Sequence, residues 1–141
     1  MDEAFFPLVR LVEDGFNGGR SELLDEFIDE NVVEHSTNPA MGQGLQAMKD
    51  RMMMARQAFP DAHVEIEDLA STGDRVWWRW RFTGTHRGDY MGVAPTGKPI
   101  ETTGVNIERI SEGKIVEHWS FGDRLAVWDQ LGIGVPAAAR P

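Results

Sequence analysis

The chain has 141 residues, a net charge of −9 and no cysteine, with 41% hydrophobic and 26% charged residues. This is the size and composition of one ordinary globular domain with a single core. Disulfides and thiolate chemistry are excluded, and the acidity argues against binding to nucleic acid or to an anionic membrane surface. No apolar run reaches the eighteen residues of a membrane span. The opening "MDEAFFPLVR" is acidic and lacks the basic region of a secretion signal, so a cytoplasmic location is expected.

The first segment, residues 3–16, carries Phe5, Leu8, Val9, Val12 and Phe16 at helical spacing, with Asp2 as N-cap and Gly18-Gly19 as the stop. A second short helix follows Ser21, with Leu24, Phe27 and Ile28 inward. "NVVEHS" (31–36) reads as a short strand and "NPAMGQG" as a loop. Residues 44–58 read as a third helix with Met48 and Met52 on one side, stopped by Pro60.

The period then changes to two. In "AHVEIEDLAS", Val64, Ile66 and Asp68 stand opposite Glu65, Glu67 and Leu69. "STGD" (71–74) is a turn. "RVWWRWRFTGTH" puts Val76, Trp78, Trp80 and Phe82 on one face and Trp77, Arg79, Arg81 and Thr83 on the other. Glycines and Pro95 make residues 84–97 a long loop, and 98–110 alternate again. "SEGK" (111–114) is a hairpin turn, "IVEHWSF" the last strand, and "DRLAVWDQLG" a final helix. Residues 1–132 are therefore expected to form one domain, and 133–141 a flexible tail.

Helices followed by antiparallel strands predict an α+β fold, with the helices packed on one face of a strongly curved sheet. Such a cone encloses a small-molecule pocket. Trp77 and its neighbours leave the outer face partly apolar, which predicts a homodimer.

Gly92, Gly97 and Lys98 fit the phosphate-loop spacing G-x-x-x-x-G-K. A phosphate loop needs Ser or Thr next and a helix starting at the lysine. Pro99 stands there, a strand pattern follows, and the match is coincidental.

Histidines are the leading acid/base candidates because they titrate near neutrality. His63 carries no assigned role. His35 ends the short strand, His86 stands where the tryptophan strand enters the long loop, and His118 lies in the last strand on the parity of Val116 and Ser120. Each reads equally as a packed, hydrogen-bonded residue. Asp123 follows Gly122 before a helix, so it fits an N-cap as well as a base. Tryptophans and methionines supply core packing or the wall of a ligand pocket. Neither a metal-ligand spacing nor a nucleophile elbow is present.

In order and spacing, "VVEHS" (32–36), "FPD" (59–61), "GTHRG" (84–88), "PTGK" (95–98), "GKIVEHW" (113–119), Asp123 and "QLG" (130–132) resemble the SnoaL-like polyketide cyclase, or ester cyclase, family. The resemblance covers roughly residues 5–132. It implies a cone-shaped barrel of the ketosteroid-isomerase-like superfamily and intramolecular aldol closure of a polyketide methyl ester without cofactor or metal. It maps the general acid/base onto Asp123, with His118 beside it in the pocket and His35 as a pocket-lining residue. His86, Arg79, Trp78, Trp80 and Met91 complete the expected substrate-binding set, for an apolar or aromatic small molecule. A tyrosine on the first helix, which could bind a substrate oxygen, is absent: Phe5, Phe6 and Phe16 stand there, and Tyr90 is the single tyrosine. The alternatives are a non-catalytic binding module on the same cone, an isomerase, or a hydrolase in which Arg79 bridges Asp68 and Asp123.

Overall fold

The computed structural model describes residues 2–35 and 42–135. Asp2 accepts the Ala4 N–H at 3.0 Å and starts a 3-10 turn, Glu3–Phe5, that leads into α1 (Phe6–Arg10). The helix then widens into a π turn over Leu11–Phe16, closed by the Asn17 N–H donating to the Val12 carbonyl at 2.9 Å. Such widened turns recur at functional sites. Here Leu11, Val12 and Phe16 all line a cavity beneath it. After α2 (Glu22–Phe27) come β1 (Ile28–Glu34) and α3 (Gly44–Ala58).

The second half is β2 (His63–Thr72), β3 (Arg75–Thr85), β4 (Pro99–Ser111), β5 (Lys114–Gly122) and α4 (Arg124–Leu131). The sheet order is β1-β5-β4-β3-β2. β1 runs parallel to β5 and the remaining pairs are antiparallel. Ile28 opens β1 rather than closing α2. The loop expected at "NPAMGQG" lies mostly outside the described residues.

Two bulges alter the faces that simple alternation assigns. In β2, Ile66 pairs with Trp80 and Asp68 with Arg79, so Glu67 is an extra residue. The slip turns Leu69, not Asp68, toward the tryptophan core beside Val64 and Ile66. In β5, Ile115 pairs with Ile110 and Glu117 with Arg109, so Val116 is extra. Ile115 and His118, of opposite parity in sequence, therefore line the same cavity. Between β4 and β5, Glu112 (φ 52°) and Gly113 (φ 76°) both take the left-handed conformation that a two-residue hairpin turn requires.

The helices close the concave face in two regions. Leu11, Leu24, Phe27, Ile28, Val32 and Ile115 fill one end. Phe59, Ile100, Trp128 and Leu131 fill the other, where Ile133 and Val135, expected in a frayed tail, also pack. Residues 136–141 lie outside the described residues. The phosphate-loop lookalike has a structural role: Lys98 Nζ donates to the Leu131 carbonyl at 3.3 Å, placing a cation at the C-terminus of α4. None of the described helices is long and apolar enough to cross a membrane.

Candidate active site

Two cavities of about 190 and 200 Å³ open on the concave face. The first is apolar, walled by residues such as Leu8, Phe16, Met52 and Trp78, with Glu108 and His118 at its polar end. Glu108 and His118 are directly opposed across β4 and β5, and His118 Nδ1 sits 2.7 Å from Glu108 Oε2. On the other side, Nε2 lies 3.3 Å from Glu34 Oε2. Arg51 Nη2 in turn lies 3.5 Å from that same oxygen. Glu108 is 2% exposed and also accepts the Trp78 indole N–H at 3.2 Å.

Burial opposes a charge on His118, but the Glu108 carboxylate, through charge and hydrogen bond, and the Glu34 charge outweigh it. Its pKa is raised above the ordinary histidine value. His118 thus bridges Glu108 and Glu34, with Arg51 beyond, in a largely buried chain of groups of opposite charge. Removing any member leaves an unbalanced charge out of water.

The second cavity is lined by Trp80, Phe82, Tyr90, Thr102, Ser120, Asp123 and Arg124 among others. Asp123 caps α4: its Oδ1 accepts the Ala126 N–H at 3.1 Å. Its other oxygen makes no hydrogen bond or ion pair with the described residues. The Trp80 indole N–H donates to Asn106 Oδ1 at 2.8 Å, and its ring lies over two glycines. A Cβ on Gly104 would stand 2.3 Å from Trp80 Cζ2, and one on Gly122 3.0 Å from Cη2. Gly104 needs glycine because the indole and the Phe121 carbonyl occupy the space of a side chain, whereas at Gly122 a small shift of the ring would make room.

The expected site residues are not brought to one point. His118 lines the first cavity with Trp78, and Asp123 lines the second with Trp80. No hydrogen bond joins His118 to Asp123. His35 lies on the outer face, its ring 4.6 Å from that of Trp119 and its Nε2 2.7 Å from Glu117 Oε2. His86 is fully buried, and its Nδ1 accepts the Thr96 N–H at 3.2 Å, fastening the long loop. Met91, on that same loop, is partly buried and packs against the core. Arg79 is also on the outer face, paired with Glu67 at 2.6 Å, so the Asp68–Arg79–Asp123 bridge of a hydrolase is not formed.

Sequence reasoning missed Glu34, Glu108, Arg51, Ser120 and Arg124 in these positions. One signal was available on β4. Trp78 and Trp80 face inward, so the cross-strand partners must supply acceptors for two indole N–H groups. Asn106 and Glu108 are the buried polar residues on that parity.

The cone of helices on a curved sheet, with acid/base groups at the walls of two cavities, defines a class of small pocket-bearing α+β proteins. The family model for SnoaL-like polyketide cyclases matches residues 7–131, and the chain belongs to that family. Aklanonic acid methyl ester cyclase DnrD of Streptomyces peucetius is 29% identical over 131 residues, covering 89% of this chain and 88% of that one. Nogalonic acid methyl ester cyclase of Streptomyces nogalater is 28% identical over 119 residues, covering 83% and 89%. Among solved structures, IdmH of Streptomyces antibioticus superposes with a TM-score of 0.81 at 32% identity, covering 94% of this chain and 100% of that one. The chain is thus a SnoaL-like cyclase.

Proposed function

We propose that the protein closes a ring in a carbonyl-rich, polyketide-like methyl ester by intramolecular aldol addition, with Asp123 as the proton shuttle. One observation carries this: Asp123 is exposed at the wall of a largely apolar cavity, with one carboxylate oxygen that has no partner among the described residues. That oxygen takes the acidic proton from a carbon between two carbonyls. The resulting enolate carbon attacks a ketone carbon of the same molecule. A C–C bond forms, the C=O π bond becomes an alkoxide, and the Asp123 carboxyl returns the proton to it. Substrate and product have the same composition. Because both reacting ends belong to one molecule, holding them in a near-attack fold supplies much of the rate.

His118 serves from the neighbouring cavity. Both its ring nitrogens are engaged by carboxylates, so it acts as a positioning residue that holds the polar end of the first cavity together. Trp80 is the flat wall of the Asp123 cavity against which an aromatic substrate stacks, while Trp78 walls the neighbouring one.

A homodimer is part of the same reading. Across β3, β4 and β5 the outer face carries the register rows Trp77–Ile107–Trp119 and Arg79–Val105–Phe121. Trp77, Val105 and Phe121 are 43%, 38% and 60% exposed. Contiguous apolar surface of this kind favours cover by a second subunit.

The test is to incubate the protein with aklanonic and nogalonic acid methyl esters, the compounds for which its relatives are named, and to follow a product of unchanged mass and altered retention. Ring closure of either, lost in Asp123→Asn, supports the reading. A cyclised product formed equally well by Asp123→Asn contradicts it.

A further inference from the structure

The cavity that holds Asp123 also holds the single tyrosine of the chain. Tyr90 is rigidly set. Its ring stacks on Trp128 at 5.1 Å and 26°, and meets Phe59 edge-on at 5.3 Å and 63°. Its backbone is pinned by a reciprocal pair of hydrogen bonds with Val93, at 3.0 and 2.9 Å. The loop that carries it is fastened in turn by His86 on Thr96. Yet the Tyr90 hydroxyl makes no hydrogen bond with any described residue. A phenol this firmly placed, half-buried and without a partner is a donor waiting for a ligand oxygen.

We propose that Tyr90, with Arg124 beside it, forms the oxyanion-holding side of this cavity and receives the enolate oxygen that appears when Asp123 withdraws a proton. The inference rests on the reading of Asp123 given above. The charge balance is direct: one negative charge leaves the Asp123 carboxylate and reappears on a substrate oxygen in the same cavity. Donors aimed at that oxygen stabilise the step only as the charge develops, which is what acceleration requires. Burial pushes the Tyr90 hydroxyl up from the ordinary phenol range, with the Arg124 charge opposing, so the group remains a proton-bearing donor at neutral pH. Asp123 and Arg124 are the charged groups lining this cavity, and Arg51 on α3 is near enough for Arg124 to lower its pKa. The oxygen-binding tyrosine missing from the first helix is thereby supplied from the long loop.

The test uses Asp123→Asn, which keeps a capping side chain and stands in for the protonated carboxyl. Two probes that share one nitroaryl ring are bound to it: 4-nitrophenol, whose coloured anion mimics the enolate oxygen, and uncharged 4-nitroanisole, its O-methyl ether. Nitrophenolate is expected to bind at least about tenfold more tightly than nitroanisole, with the bound phenol acidified. Adding Tyr90→Phe, which keeps every ring contact, is expected to cut that preference about tenfold and raise the bound pKa about one unit, with nitroanisole affinity unchanged. Binding of both probes with a preference indifferent to Tyr90→Phe overturns the oxyanion role and leaves the cavity reading standing. Failure of either probe to bind at all removes the cavity reading, and this inference with it.

Discussion

Glu108 and His118 face each other across adjacent strands, with the His118 Nδ1 held 2.7 Å from a carboxylate that is 2% exposed. The pair sits at the polar end of an otherwise apolar cavity, and Glu34 and Arg51 extend it on the far side. Replacing Glu108 by Gln keeps an acceptor for Trp78 but removes the charge that balances His118. Breaking one member of a buried pair is expected to cost about 3 kcal/mol, read as a lower urea midpoint with unchanged m-value. A midpoint equal to that of the parent protein would show that the pair is not charged in the fold.

The raised pKa of His118 has a pH consequence. The folded state holds the proton more tightly than the unfolded chain. Its stabilising contribution is therefore complete below the ordinary histidine value of 6.5 and fades as pH rises through the raised folded value. The stability difference between the parent and His118→Gln, followed by urea titration from about pH 6 to 9, is expected to shrink with rising pH. A difference that grows with pH would reverse the sign of the coupling.

The bed of Trp80 offers a steric test. A methyl on Gly104 would meet both the indole, at 2.3 Å, and the Phe121 carbonyl oxygen, at 2.6 Å. Gly104→Ala is expected to cost about 2–3 kcal/mol and to shift tryptophan emission. Gly122→Ala, at 3.0 Å from the ring edge, is expected to cost less and to push the indole into the Asp123 cavity. Equal, negligible effects in thermal melts of both variants would place the ring elsewhere.

Much of this architecture was legible in the sequence, because β3 alternates cleanly and the helices carry apolar residues at helical spacing. What alternation alone could not yield were the bulges at Glu67 and Val116. One extra residue in a strand reverses every later parity, and nothing local in "VEIEDL" or "KIVEH" marks it. The inner face of β4 was hidden for a different reason. Val105 and Ile107 suggest a core face, yet they point outward, while Gly104, Asn106 and Glu108 face in to accommodate and hydrogen-bond two tryptophans. Asp123 was readable as a cap, and it is one. The loop residue Tyr90 could be placed in its cavity only by the fold.

The outward apolar rows lead to an oligomer test. The 15.8 kDa chain is expected to sediment as a dimer at micromolar concentration, and Trp77→Lys with Phe121→Asp as a monomer that retains its melting transition. A monomeric parent protein would remove the second subunit from the account.

The central claim is that Asp123 moves the proton. Asn also caps helices well, so Asp123→Asn preserves the Ala126 hydrogen bond and α4 while deleting the shuttle. The decisive measurement is kcat of that variant on the methyl ester that the parent protein cyclises, beside its melting temperature. The expected result is an unchanged melt with kcat reduced by about 10²- to 10⁴-fold. An unchanged melt with parental kcat would show that Asp123 is only a helix cap.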